Sequence, residues 1–203
     1  MASVGDWSFF EQIAAAGGWQ RGRSESLSGT GSSLEATRVL RPRLAEMLGQ
    51  LSVRSLVDAP CGDMNWMRHL NYPFEKFIGI DIAPTLIGKL KSENFPPQYH
   101  FQLGNIATDI LPAADAVFCR DCLVHLPYEA IFEIRRLWKI AGFRFMFATT
   151  FINRTINTDC LIGGWRPLNM QIAPFDWSQP LAVFLEDYED ASYRDKAIGV
   201  WAL

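Results

Sequence analysis

The sequence lacks an excess of basic charge. Its 203 residues contain 19 Lys and Arg against 22 Asp and Glu, which gives a formal net charge of −3 at pH 7. Nucleic acids bind through their phosphates to clusters of Lys and Arg, so this balance disfavours a nucleic-acid partner. With 49% apolar residues, the composition is that of a folded globular chain and not of a disordered one.

The sequence also lacks an apolar run long enough to cross a bilayer. Its first residues place acids within an apolar stretch, which is not typical of a secretory signal. Four cysteines are too few for a disulfide scaffold at this length, and C-R-D-C at 119–122 has no second pair or His cluster to complete a metal site. We therefore expect a cytoplasmic protein without a bound metal or a membrane partner. Nothing in the sequence indicates an oligomeric state.

Strand and helix patterns alternate along most of the chain. Strands are predicted at 53–58, 76–81, 99–103, 114–119 and 143–151, and helices at 7–16, 34–49, 65–70, 84–91 and 128–141. The helix at 34–49 contains Pro42, which should kink or restart it. Two late runs, 181–188 and 196–203, are predicted to pair antiparallel. This order predicts an α/β fold with a doubly wound, mostly parallel sheet over residues 34–203, preceded by an N-terminal helix and loop at 1–33.

Two of the predicted strands end on an acid, Asp58 and Asp81, 23 positions apart. Ligands of doubly wound sheets bind beyond the carboxyl ends of the strands, and an acid at the end of the second strand can accept hydrogen bonds from ribose hydroxyls. The alternative is that Asp81 only caps the following turn. The first turn, A-P-C-G-D, has one glycine, Gly62, and an acid, Asp63, which would repel a pyrophosphate. A positively charged nucleoside such as S-adenosylmethionine fits this turn better than a dinucleotide.

Four segments carry a family resemblance. V-D-A-P-C-G-D, I-G-I-D-I-A, L-G-N-I-A-T-D and D-A-V-F-C-R-D-C-L-V-H-L-P resemble, in order and spacing, the four motifs of class I S-adenosylmethionine-dependent methyltransferases. The whole sequence is similar to small stand-alone bacterial enzymes of this class. The resemblance implies a Rossmann-like methyltransferase fold of seven strands whose last strand is antiparallel.

The resemblance also implies which residues hold the cofactor S-adenosylmethionine. They are Asp58, Pro60, Gly62, Asp81, Ile82, Asn105, Ile106, Cys119 and Arg120. The turn departs from the family at Pro60 and Met64, where glycine is usual. Proline lacks an N–H, so the contacts near Pro60 are expected to be rearranged. The loop S-G-T-G-S-S at 28–33 is a further candidate, either for the methionine carboxylate or only as an N-cap through Ser32 or Ser33.

The candidate catalytic residues are His125 and Asp121, just beyond the fourth predicted strand. A neutral imidazole can remove a proton from a hydroxyl acceptor, so His125 is either a general base or a structural residue at the start of the next helix. Asp121 takes part in acid–base chemistry, shapes the loop or contacts the cofactor. The sequence therefore favours O-methylation.

The acceptor is predicted to be a small molecule or a saccharide, bound by Trp165, Arg166 and Asn169 in the long loop after the fifth strand. The aromatic residues of the N-terminal segment either close over the site as a lid or pack on the core. Two alternatives to a methyltransferase stay open, namely a nucleotide-cofactor oxidoreductase and a non-catalytic binding module of the same fold.

Overall fold

The computed structural model describes residues 7–17, 19 and 24–203. Residues 1–6, 18 and 20–23 of the predicted N-terminal segment lie outside the described residues. Within the described ranges, no helix is long and apolar enough to span a bilayer. The α-helices are α1 (Ser8–Ala16), α2 (Leu40–Gln50), α3 (Pro84–Ser92) and α4 (Tyr128–Ala141). The strands are β1 (Ser55–Asp58), β2 (Lys76–Asp81), β3 (Tyr99–Leu103), β4 (Ala116–Cys119), β5 (Phe145–Phe151), β6 (Ala182–Leu185) and β7 (Lys196–Ala202).

The strands form one seven-stranded sheet in the order β3-β2-β1-β4-β5-β7-β6. Strands β1 to β5 pair in parallel, whereas β7 pairs antiparallel with both β5 and β6. This confirms the predicted fold class, including the late antiparallel pair. The strand order reverses between β1 and β4, so the switch point, where ligands of doubly wound sheets bind, lies between these two strands.

Helices cover both faces of the sheet because successive strand residues point to opposite sides. Leu56 and Phe77 pack with the apolar side of α2 and with α3, and their neighbours Val57 and Ile78 pack with α4. Trp138 of α4 is fully buried at the centre of the second layer. The central strands are therefore buried on both faces, as their nearly continuous apolar runs require.

Two predicted helices differ from the structure. Residues 34–39 form turns, and α2 begins only at Leu40, which places Pro42 in its first turn. Proline is tolerated there because the first N–H groups of a helix have no partner within it, so no kink is needed. The predicted helix at 65–70 is a single 3₁₀ turn, Met67–His69.

Candidate active site

A cavity of about 660 Å³ opens at the carboxyl ends of β1, β2 and β4. It lies at the switch point of the sheet. The predicted site residues that line it are Asp58, Pro60, Gly62, Asp81, Ile82, Asn105, Ile106, Arg120, Asp121, His125 and Trp165. The sheet thus brings together residues that lie more than a hundred positions apart in the sequence.

Asp58 and Asp81 give one end of the cavity a negative charge. Both carboxylates are buried, and burial raises the pKa of each, with mutual repulsion adding to the rise at Asp58. Asp81 accepts hydrogen bonds from the N–H of Gly62 at 2.9 Å and from the N–H of Ala83 at 3.0 Å. These hydrogen bonds lower the pKa of Asp81 and so offset part of the effect of burial. The Ile82 N–H also donates to this carboxylate, and the lone pairs that the three N–H groups leave free can accept from a ligand. Such an end suits a ligand that has hydroxyl donors and positive charge.

The turn after β1 depends on Gly62, whose φ is +56°. A Cβ added there would lie 2.3 Å from Oγ of Ser28, so any side chain would have to displace Ser28 and would strain the left-handed backbone. The next residue, Asp63, accepts hydrogen bonds from the Ser26 hydroxyl at 3.0 Å and the Leu27 N–H at 2.6 Å. Asp63 thereby holds the N-terminal loop against the turn. The sequence analysis considered Asp63 only as a group that repels pyrophosphate.

The loop at 28–33 forms the cap predicted from the sequence, while its binding of the methionine carboxylate stays a prediction. Oγ of Ser33 accepts the N–H of Ala36 at 3.0 Å and so caps the turns that precede α2. The residues before it, from Ser28 to Ser32, line the cavity. The carbonyl of Gly31 accepts a hydrogen bond from Nη2 of Arg120 at 2.9 Å, which joins this loop to the end of β4.

Three predicted site residues do not line the cavity. The Cys119 side chain is fully buried in the apolar layer beneath α4. The Arg166 guanidinium is also buried and donates to the carbonyls of Leu123, Leu126 and Thr158. The Asn169 side chain donates to the carbonyls of Arg154 and Ile152. Arg166 and Asn169 therefore hold the long loop in place, and neither presents its polar group to the cavity.

A buried cluster of charges that the sequence analysis missed forms one wall of the cavity. Arg120 pairs with Glu186 at 2.5 Å, and Lys196 pairs with Asp121 at 2.6 Å and with Glu186 at 3.5 Å. Both Arg120 and Lys196 also approach the hydroxyl of Tyr188. The cluster contains two cations and two carboxylates, so its net charge is zero. Local sequence patterns carry no signal for it, because its members come from three separate segments.

The cluster fixes the charge of Asp121. Burial would raise the pKa of this carboxyl, but the ammonium of Lys196 and the guanidinium of Arg120 outweigh burial and lower it to about 2. Asp121 also has a left-handed backbone with φ +55°, and its N–H donates to Oγ1 of Thr149 at 2.9 Å. Asp121 is thus an ionised carboxylate paired with two cations, and it is poorly suited to take up a proton.

His125 faces the same part of the cavity. Burial lowers its pKa below the usual 6.5, although the Gly164 carbonyl and Asp121 act in the opposite direction. Its Nδ1 lies 2.8 Å from the Gly164 carbonyl oxygen. A carbonyl can only accept, so Nδ1 carries the proton and Nε2 of the neutral ring keeps its lone pair.

The described part of the N-terminal segment lies over the cavity. Trp7, Phe10 and Trp19 line it, and α1 packs on α3, where Oγ1 of Thr85 donates to Glu11 at 2.5 Å. The ring of Phe9 lies against Gly163, where any Cβ would come within 2.1 Å of it. The segment therefore both packs on the domain and forms part of the cavity wall.

The fold and the cavity together define a class of protein. It is a doubly wound α/β enzyme whose cavity at the switch point carries acids that suit a nucleoside ligand. A family model described as a methyltransferase domain matches residues 57–146, which carry β1 to the start of β5. A comparison with curated proteins found no match. Residues 57–146 thus match a methyltransferase domain, and this match and the strand order are consistent with a class I S-adenosylmethionine-dependent methyltransferase. The match favours methyl transfer over the oxidoreductase alternative.

Solved methyltransferase structures share the fold at low sequence identity. Magnesium protoporphyrin IX methyltransferase (ChlM) from Synechocystis PCC 6803 with bound SAH has a TM-score of 0.66 at 15% identity, covering 96% of this chain and 98% of that one. The methyltransferase domain of bacterial CtHen1-CN has a TM-score of 0.60 at 13% identity, covering 84% and 100%. Human N-acetylserotonin methyltransferase (ASMT) in complex with SAM has a TM-score of 0.55 at 14% identity, covering 95% and 66%.

Proposed function

We propose that this enzyme methylates a hydroxyl group of a small-molecule or saccharide acceptor, with His125 as the general base. The observation that carries the proposal is the tautomer of His125. Its Nδ1 is committed to the Gly164 carbonyl at 2.8 Å, and the ring lines the cavity with its other nitrogen unprotonated. A hydroxyl acceptor needs such a base, whereas a neutral amine already has a free lone pair.

The residues at the acidic end of the cavity fit S-adenosylmethionine. The free lone pairs of Asp81 suit the two ribose hydroxyls, and the buried carboxylate of Asp58 suits a positively charged methionine end. Ile82 and Ile106 offer apolar contacts for the adenine, with Asn105 at its rim, and Gly62 and Pro60 form the floor. When bound, this cofactor supplies a methyl group already activated on a sulfonium.

The protein contributes to the reaction mainly by positioning the two reactants and by accepting one proton. The acceptor hydroxyl would lie against Nε2 of His125 and lose its proton to this nitrogen. The lowered pKa keeps His125 neutral at pH 7, so it is ready to accept that proton. The ionised Asp121 nearby stabilises the imidazolium that forms.

The size of the cavity supports a small acceptor. Sites for small molecules occupy about 300–1,000 Å³. The observed 660 Å³ must hold both the cofactor and the acceptor. A saccharide unit or another small hydroxylated compound fits that space.

The test is a His125→Asn variant assayed for S-adenosylhomocysteine release with a panel of hydroxyl and amine acceptors. Asparagine keeps an N–H donor near the Gly164 carbonyl and removes the base. We expect turnover to fall by about 10²- to 10⁴-fold, while the affinity for S-adenosylhomocysteine changes less than about twofold. In the unaltered enzyme, activity should fall only on the acid side, with a midpoint below 6.5.

Two results would contradict the proposal. Full turnover by the His125→Asn variant would return His125 to a structural role. If only amines of the panel are methylated, O-methylation is excluded. If the enzyme still binds S-adenosylhomocysteine in that case, the assignment of the cofactor end is unaffected.

A further inference from the structure

We infer that the acceptor is a flat, hydroxyl-bearing aromatic ring, neutral or anionic, which stacks on Trp165. The inference rests on the proposed function, since it names the substrate class for the same site. It depends on an aromatic wall, defined here as Trp165, Tyr193 and Tyr188.

The three rings of the aromatic wall are contiguous. The ring centroids of Trp165 and Tyr193 lie 5.5 Å apart, and those of Tyr193 and Tyr188 lie 5.7 Å apart. All three residues line the cavity. Aromatic rings prefer offset or edge-to-face neighbours at such distances, so a fourth ring brought by a ligand would extend an existing array.

The aromatic wall lies beside the candidate base. Trp165 directly follows Gly164, whose carbonyl accepts from Nδ1 of His125. The N–H of the next residue, Arg166, donates to the carbonyl of Val124 at 3.1 Å, so the backbone on both sides of Trp165 is tied to the segment that carries His125. A ring stacked on Trp165 would therefore present a substituent to His125.

Trp165 is itself poorly covered by the protein. It is 45% exposed, although it is edge-on to Phe151 with ring centroids 6.2 Å apart. Tryptophan is a large apolar side chain, and its exposed face at a cavity leaves apolar surface that a ligand would remove from water. A planar ring covers this surface more completely than a hydroxyl-rich saccharide does.

The charges around the wall disfavour a cationic ring. Nζ of Lys196 lies 4.8 Å from the centroid of Tyr188, so a cation already occupies one face of the wall. Asp121, an acid that also lines the cavity, is paired with Lys196 and Arg120. Asp190 also lines the cavity but is exposed, and one of its carboxylate oxygens accepts the N–H of Ser192.

The test measures binding by calorimetry, with and without saturating S-adenosylhomocysteine. The probes are tyrosol, 4-hydroxybenzoate, tyramine and methyl glucoside, which represent a neutral, an anionic and a cationic phenol and a saccharide. We expect the first two to bind about tenfold more tightly than the last two. Trp165→Ala should weaken tyrosol binding about tenfold, and Trp165→Phe should restore most of it. Phe132→Ala is the matched control, since Phe132 is also 45% exposed but lies outside the cavity.

The inference is overturned if methyl glucoside or tyramine binds as tightly as tyrosol, or if Trp165→Ala binds tyrosol like the unaltered protein. The titrations without S-adenosylhomocysteine report on the aromatic wall even if the cofactor does not bind. If the phenols bind at Trp165 but give no S-adenosylhomocysteine release, the aromatic wall still binds a flat ring, but the proposed O-methylation and the role of that ring as acceptor both fall. The two failures are therefore distinguishable.

Discussion

The buried charge cluster of Arg120, Glu186, Lys196 and Asp121 yields the sharpest stability prediction. Glu186 and Lys196 are almost completely buried, with side-chain exposures of 0% and 4%. At an effective dielectric constant of about 20, two unit charges 3.5 Å apart attract by roughly 5 kcal/mol, before the cost of removing both from water. Removing one charge leaves the cluster with a net charge and keeps the desolvation cost of the others.

We therefore expect Glu186→Gln and Lys196→Met each to lower the free energy of unfolding by about 3–5 kcal/mol. The double variant restores a net charge of zero, so its loss should be smaller than the sum by about 2 kcal/mol. Urea denaturation of the four proteins measures this double-mutant cycle. Glu133→Gln is the control, because Glu133 forms an exposed pair with Arg136 and its loss should change stability by less than about 1 kcal/mol.

The reasoning fails if the two single variants lose less than about 1 kcal/mol each, or if their losses are additive. Additive losses would mean that each charge interacts mainly with its other partners. Small losses would mean that water enters the wall and screens the charges. Either result would contradict the view that the charges on this side of the cavity lie in a medium of low dielectric constant.

Three other parts of the site give independent predictions. Gly62→Ala should lower the free energy of unfolding by about 1–2 kcal/mol or more, because the backbone at position 62 is left-handed and the new methyl group meets Ser28. Adding Ser28→Gly to this variant should recover part of the loss, as measured in a thermal melt. Arg166→Met leaves the buried carbonyls of Leu123 and Leu126 without their donor. It should lower the free energy of unfolding by about 3 kcal/mol, with S-adenosylhomocysteine affinity unchanged by calorimetry. Burial beside Asp81 raises the pKa of Asp58, and a bound cation would lower that pKa. S-adenosylmethionine should therefore release protons when it binds, and it should bind more tightly at pH 8 than at pH 5. Calorimetry in two buffers of different ionisation enthalpy measures that release, and equal affinity at both pH values would contradict it.

Elements with strong periodicity were predictable from the sequence. The bounds of β2 and α4 agree with the predictions at 76–81 and 128–141. β2 is a continuous apolar run that ends at Asp81, whereas α4 has apolar residues at helical spacing and ends at Gly142 in the left-handed region. The start of α2 was not predictable from the pattern. Residues 34–39 have helical composition, but the cap at Ser33 and hydrogen bonds from the Thr37 side chain hold them as turns.

The meeting of Asp58 and Asp81 in one cavity was also predictable, because acids at the ends of neighbouring parallel strands lie at the same edge of the sheet. The charge cluster was not. Lys196 begins β7, and β7 runs antiparallel to β5, so its first residue pairs with Phe151 at the carboxyl end of β5. Glu186 reaches the same edge because it follows the carboxyl end of β6. Only the strand order brings these two residues to Arg120, and no spacing in the sequence encodes that order.

The charge cluster explains how distant segments form a single site. Arg120 extends from the end of β4 to the carbonyl of Gly31 and to the carboxylate of Glu186, so it joins the loop at the cofactor end to the strand beside the aromatic wall. Since the cluster is neutral in total, it adds no net charge to the cavity. On the proposed function, the carboxyl groups of Asp58 and Asp81 favour a cationic cofactor at one end of the cavity. At the other end, the rings of Trp165 and Tyr193 would stack on a planar acceptor, and the ammonium of Lys196 would disfavour a positive charge on it. The distribution of charge along the cavity, and not its shape alone, would therefore distinguish the two reactants.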